Sequence, residues 1–184
     1  MMELYSPHDT RILFEKTSDG LLVSFETQDT RHLEDLCRDG ILTDTQRSHR
    51  FLIKDEKIYE ITDGNLREIP SDFESILDSD GGTCPSYALF GAVVGDLVSG
   101  KELDWIPQGF YYYSGLHFFI FPDRETLEKG IEVERERLSS YEREDDEWYD
   151  QMERLTTYWF NFPTTGSAYG YYDIKRHFRQ AFEK

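Results

Sequence analysis

The sequence predicts an α+β fold: a mostly antiparallel central sheet built from hairpins, packed by a buried apolar helix and by one long acidic helix. Three observations carry that prediction. Short apolar runs come in pairs across turn signals, at 12–25, 51–61 and 110–121, which is the pattern of hairpins. The stretch 85–98 is the most apolar of a very polar chain and reads as a buried helix. The stretch 124–158 carries apolar residues at spacings of three, four and seven among dense charge. Strands precede and separate helices without regular alternation, which favours α+β over a doubly wound parallel sheet.

In chain order, Ile12-Leu13-Phe14 and Leu21 to Phe25 are strands joined by the turn Ser18-Asp19-Gly20. A short helix follows from a cap at Asp29 or Thr30 to Gly40, with Leu33, Leu36 and Cys37 on one face. Cys37 therefore reads as core filling. Phe51-Leu52-Ile53 and Lys57 to Ile61 make a second hairpin across Asp55-Glu56, and Asp63-Gly64-Asn65 turns the chain again. Ser71 and Glu74 are spaced as a capping box, opening a short helix through Phe73, Ile76 and Leu77 that ends at Gly81-Gly82. The apolar helix then starts at Pro85, a residue suited to a first helical position, and stops at Gly100.

Phe110 to Tyr113 and Leu116 to Phe121 form a third hairpin around Ser114-Gly115. The second of these strands is apolar on both faces and so belongs in the middle of a sheet. Asp123 is placed to cap the long helix, whose stripe is Leu127, Ile131, Leu138, Tyr141, Trp148, Met152, Leu155 and Trp159. Its charge peaks at Glu142-Arg143-Glu144-Asp145-Asp146-Glu147, where like charges one turn apart weaken the helix. The chain closes (160–184) with an aromatic loop and a short basic helix. The whole is expected to be a single domain.

Composition narrows the class. Twelve tyrosines and thirteen phenylalanines are too many for a disordered acidic chain, so this is a folded protein. The 37 acidic residues against 20 basic ones give a formal charge of −17, which repels nucleic acid and anionic membranes and attracts basic proteins. Two cysteines are too few for a disulfide framework, and the start has neither a basic segment nor an apolar run. A cytoplasmic setting is the expectation.

Two constellations carry candidate chemistry. A thiol at Cys84 sits at a helix start, where the dipole favours the thiolate. A nucleophile also needs a base and a group to orient it, and His117 and Asp123 follow in that order. Gly82-Thr83-Cys84 with Ala88 resembles the Gly-x-Cys-x-x-x-Ala pattern of papain-like and transglutaminase-like hydrolases. That resemblance implies a cysteine hydrolase using Cys84, His117 and Asp123. Separately, Ile69-Pro70-Ser71-Asp72-Phe73, Ile76-Leu77 and Asp80-Gly81-Gly82 resemble the helix-and-glycine motif of an α+β family whose members are often toxin-binding bacterial immunity proteins.

The five histidines never pair at three- or four-residue spacing with each other or with a cysteine, so no zinc signature is present. No calcium-loop or phosphate-loop pattern occurs, and no cofactor is expected. Lys175, Arg176 and Arg179 make only a small basic patch. The leading expectation is a non-enzymatic cytoplasmic protein that binds and blocks a basic protein surface, as immunity proteins, phage inhibitors and nucleic-acid mimics do. Its binding residues are Glu142, Glu144, Asp145, Asp146 and Glu147; no direct contact with nucleic acid or membrane is expected. The cysteine hydrolase is the first alternative, and assembly through the Trp148/Met152/Trp159 stripe the second.

Overall fold

A computed structural model describes residues 2–6, 10–28, 30, 33–73, 85–114, 117–139, 146–161 and 174–182. Their fold is α+β. The strands are β1 (Met2–Ser6), β2 (Thr10–Thr17), β3 (Gly20–Glu26), β4 (Ser48–Lys54), β5 (Lys57–Thr62), β6 (Asn65–Glu68), β7 (Phe110–Ser114), β8 (His117–Phe121) and β9 (Tyr158–Asn161). They form one nine-stranded sheet in the order β6-β5-β4-β3-β2-β1-β7-β8-β9.

Every neighbouring pair is antiparallel except β1 with β7. The sheet is thus two meanders, β1–β6 and β7–β9, joined along one parallel seam. In that seam Glu3 pairs with Phe110, Leu4 with Tyr111 and Tyr5 with Tyr112. The hairpin turn after β4 places Asp55 and Glu56 at φ of 51° and 58°, the left-handed pair that a two-residue turn between twisted strands requires.

Among the described residues the helices are α1 (Leu33–Arg38), α2 (Pro85–Val98), α3 (Arg124–Ser139), α4 (Asp146–Leu155) and α5 (Ile174–Phe182). Side chains alternate across a strand, so each face of the sheet collects its own set. One face supplies Ile12, Val23, Phe51, Ile58 and Phe118 to a core closed by α1, α2 and α5. The apolar α2 buries Val93 and Val94 there, and Phe178 of α5 is edge-on to Trp105, Tyr111 and Phe118. The other face supplies Tyr5, Tyr112, Phe119 and Phe121 to a second core under α3 and α4.

The helix expected over 124–158 is not continuous as far as Tyr158. The described residues give α3 and α4, and 140–145 lies outside them. After Leu155 the run Thr156 to Phe160 is β-branched and aromatic, and it leaves the helix to become a strand. The Thr157 N–H donates to Ile120 O at 2.8 Å as β9 begins to pair with β8. Trp159 therefore projects from a strand, stacked on Phe119 with ring centres 6.1 Å apart. Leu138, read as part of the buried stripe, is 52% exposed, while Tyr141 lies outside the described residues. The capping-box pair is half visible: Ser71 is described, and 74–84 is not.

Helix α3 approaches the sheet closely at Gly130. A Cβ built there would lie 2.5 Å from Cζ of Phe121, a ring that is 2% exposed. Helix propensity alone says that alanine at this position gains about 1 kcal/mol. Overpacking against a buried ring reverses the sign, so Gly130→Ala is expected to lose roughly 1–3 kcal/mol. The urea midpoint measures it; a variant as stable as the parent would mean that α3 rides higher off the sheet.

Candidate functional site

The acidic candidate site is carried by α4, which has two opposed faces. Trp148 and Met152, one turn apart, are 3% and 0% exposed and pack on Phe119 and the rest of the second core. They are core, so the expected assembly stripe Trp148/Met152/Trp159 is not an exposed surface: two of its members are sealed against the sheet. The opposite face presents Asp146, Glu147, Asp150 and Glu153, all exposed. Asp146, Asp150 and Glu153 follow the i, i+4, i+7 spacing that lines one side of a helix. The sequence reading stopped at Glu147 and missed the last two; the same spacing rule that found Trp148 and Met152 would have found them.

Pairing separates α4 from α3. On α3 four of five acids are matched: Glu125 with Lys129 at 2.7 Å, Glu128 with Arg11 at 2.7 Å, Glu132 with Arg135 at 4.0 Å, and buried Glu134 with Arg137, leaving Glu136. On α4, none of the four exposed acids is ion-paired among the described residues. Asp146 and Glu147 lie in the first turn, where the helix dipole favours negative charge. Further along, like charges one turn apart cost a few tenths of a kcal/mol each. The helix is therefore held by what lies beneath it.

Beneath it is a clasp of aromatic and polar contacts. The Arg137 guanidinium lies 4.9 Å over the Trp148 ring, with its Nε donating to Glu134 Oε2 at 3.0 Å. The Tyr149 hydroxyl lies 2.7 Å from His117 Nε2. The His117 ring, 5% exposed, sits 6.0 Å from Trp148, 5.2 Å from Tyr149 and 6.1 Å from Trp159. His117 thus joins β8 to α4.

Of the hydrolase residues, Cys84 lies outside the described residues. Asp123 caps α3: its Oδ1 accepts the Thr126 N–H at 2.8 Å. That N–H, with the Thr126 hydroxyl, holds the Asp123 carboxyl below its usual range. His117 opens β8 and Asp123 lies two residues beyond its far end, on the order of 20 Å away at a strand's rise per residue. The structure does not bring them together, so Asp123 does not orient His117. Of the expected binding residues, Asp146 and Glu147 are placed as described, and Glu142, Glu144 and Asp145 lie outside the described residues. Cys37 is half-buried against the first core, and burial, followed by the charges of Asp44 and Glu60, pushes its thiol up.

A second charged cluster is fully occupied. Glu60, 2% exposed, accepts from the Thr43 N–H at 3.1 Å, the Thr43 hydroxyl and Arg67 Nη2 at 2.7 Å. His49 Nδ1 is 3.2 Å away. Arg67 also donates to the carbonyls of Gly40 and Ile41, so edge strand β6 ties down the loop after α1. Asp96 plays a similar part on α2, accepting from Trp105 Nε1 at 2.9 Å and Lys175 Nζ at 2.7 Å. These clusters hold the fold together. Among the described residues, no group of His, Cys, Asp and Glu converges as a metal site, and no helix is long and apolar enough to cross a membrane.

No protein-family model, no curated protein and no solved structure matches this chain.

Two expected outcomes follow from these contacts. Trp148→Ala empties the centre of the clasp, and loss of a buried aromatic typically costs roughly 3–5 kcal/mol. Thermal melting reads it, and a variant that melts with the parent would place the indole outside the core. For Glu60, burial is the largest influence and works upward, but hydrogen bonds from Thr43 and Arg67 and the Arg67 charge outweigh it and hold the carboxyl low. A carboxylate held low in the fold stabilises it above the ordinary glutamate value, about 4.3. That stability disappears as pH falls through the folded value. Glu60→Gln is expected to be less stable at neutral pH and to lose less on acidification. Asp96, also held low, keeps part of the slope in the variant. Urea midpoints at neutral pH and below pH ~4 check this; parallel pH profiles would show that Glu60 titrates alike folded and unfolded.

Proposed function

We propose that this protein binds and blocks a basic protein surface, with the outward face of α4 as the centre of contact. The observation that carries the reading is the contrast between neighbouring helices: four of the five acids of α3 are paired with cations, whereas Asp146, Glu147, Asp150 and Glu153 on α4 face solvent without one among the described residues. With Glu142, Glu144 and Asp145 just before it in sequence, α4 concentrates much negative charge in a short length of chain. Such a field raises the association rate of a basic partner and falls as salt screens it. A rigid base strengthens the case, since Trp148, Met152 and Tyr149 fix the helix that displays these charges. Immunity proteins, phage inhibitors and nucleic-acid mimics are the functional class, and the setting is cytoplasmic.

The cysteine hydrolase has no comparable support. His117 is engaged by Tyr149 at Nε2, and Asp123 is spent on the cap of α3.

The test uses basic nuclease and toxin domains with pI above about 9 as probes. Glu147→Gln, Asp150→Asn and Glu153→Gln together remove three charges while keeping shape. The triple variant is expected to fold as the parent does, or slightly more stably as repulsion is relieved. Against a probe that the parent inhibits, it is expected to associate roughly tenfold more slowly at low salt, with a flatter salt dependence. If the parent inhibits no probe, or the triple variant inhibits equally well with an unchanged salt slope, the reading fails.

A further inference from the structure

The segment 39–47, which returns the chain from α1 to β4, is fastened to three strands by side chains. Arg67 of β6 donates to the carbonyls of Gly40 and Ile41 at 2.8 and 3.0 Å. Glu60 of β5 accepts from the backbone and the hydroxyl of Thr43. His49 of β4 holds the far end, with Nε2 lying 2.7 Å from Gln46 O. Register explains why His49 and Glu60 meet. Phe51 pairs with Glu60, and His49 lies two residues before Phe51, so both side chains point to the inner face. They are 5% and 2% exposed, and Nδ1 of the ring lies 3.2 Å from Glu60 Oε1.

Both ring nitrogens therefore face acceptors. A carbonyl oxygen only accepts, so Nε2 carries a hydrogen and donates it to Gln46 O. A neutral imidazole has one N–H, and its bare Nδ1 then turns a lone pair on the Glu60 carboxylate. A proton at Nδ1 replaces that repulsion with a charge-assisted hydrogen bond. The carboxyl does not supply the proton itself. Arg67 donates to its Oε2 from Nε at 3.1 Å and from Nη2 at 2.7 Å, and the Thr43 N–H donates to Oε1, all of which favour the ionised form. The other groups around the ring are acidic or uncharged. Asp44 accepts the Gln46 N–H at 2.9 Å, and on α1 the charge of Glu34 reaches the Cys37 thiol, as those of Asp44 and Glu60 do. From β3 comes the Phe25 ring, 6.4 Å away between centres. Three carboxylates against one guanidinium leave room for a second cation.

We propose that His49 is a proton-operated latch on the segment 39–47, closing on Glu60 when Nδ1 takes up a proton and standing off when it gives the proton up. The sign follows from the bond gained. The folded chain makes a hydrogen bond on proton uptake that the unfolded chain lacks, so the segment is held more firmly as pH falls through the ordinary histidine range, near about 6.5. The hold is lost again when Glu60 itself is protonated, because the ring then faces no anion. Mild acid is thus where the latch is closed. On the alkaline side Thr43 to Gln46 loosen first, while Arg67 keeps its grip on Gly40 and Ile41. The latch lies among β4 to β6 and does not depend on what α4 binds.

Nitrogen-15 NMR of the whole chain between about pH 8.5 and about pH 5.5 tests this, with the ring nitrogens and the Thr43 amide as readouts. His49→Gln identifies the ring among the five histidines by the signals it removes. At the alkaline end a ring protonated at Nε2 alone is expected, and at the acid end a ring protonated at both nitrogens. Across the same range the protection of the Thr43 amide, corrected for intrinsic exchange, is expected to rise roughly tenfold. His49→Gln and Glu60→Gln are each expected to flatten that rise. If neither variant folds, the ring signals and the Thr43 amide of the parent carry the test. A neutral ring protonated at Nδ1, Thr43 protection indifferent to pH, or a rise that persists in either folded variant would each overturn the proposal.

Discussion

The architecture depends on a buried carboxylate at the centre of the sheet. Glu3 is 2% exposed in β1, the strand that joins the two meanders. It is held between Arg11 Nε of β2 at 3.0 Å and Arg124 Nε of α3 at 2.9 Å. A buried carboxylate is costly unless paired and hydrogen-bonded, and here the pairing partners come from both meanders. Arg11 lies on the neighbouring strand; Arg124 opens the helix that follows β8. Glu3 thus fastens α3 over the seam, while its own backbone pairs with Phe110 and its N–H donates to Gly109 O at 3.0 Å. Once α3 is placed, Arg137 and Glu134 at its far end clamp Trp148, and α4 is placed in turn.

The same logic divides the charge. The buried acids are used structurally: Glu3, Glu60, Asp96 and Glu134 are all hydrogen-bonded to cations. The exposed acids of α4 have no such duty among the described residues. A chain with 37 acidic residues could have scattered them evenly; instead some of its cations are committed to the few acids that are buried, leaving α4 bare.

The hairpins were legible because their signals are local. Asp55-Glu56 between two apolar runs, and the alternation in Phe51 to Ile53 and Lys57 to Ile61, need no tertiary information. So was the start of α2 at Pro85 and the cap at Asp123. β1 was not legible: five residues with an acid in the second position make a poor strand by propensity, and only the distant arginines make Glu3 tolerable there. β9 was misread because Trp159 continues the helical spacing of Trp148 and Met152, and periodicity does not report a change of element when the next residue lands on the same core. His117 was picked out for its chemistry. Its partner Tyr149 went unnoticed, since nothing in the sequence links two residues on different elements. Leu22, Leu52, Tyr59 and Ile61 share one face of the sheet, and only the register sets them side by side.

The parallel seam has a consequence for a chain that emerges from the ribosome N-terminus first. Among themselves the strands β1 to β6 pair with sequence neighbours, through short turns and the segment around α1, and so these pairings are available early. β7 comes much later, and until it arrives β1 presents an unpaired edge in what will become the middle of the finished sheet. Any β7–β9 module that reaches that edge completes the seam, whichever nascent chain it belongs to. Crowded synthesis on one message therefore favours exchange of β7–β9 between neighbours, and dilution favours closure within a single chain.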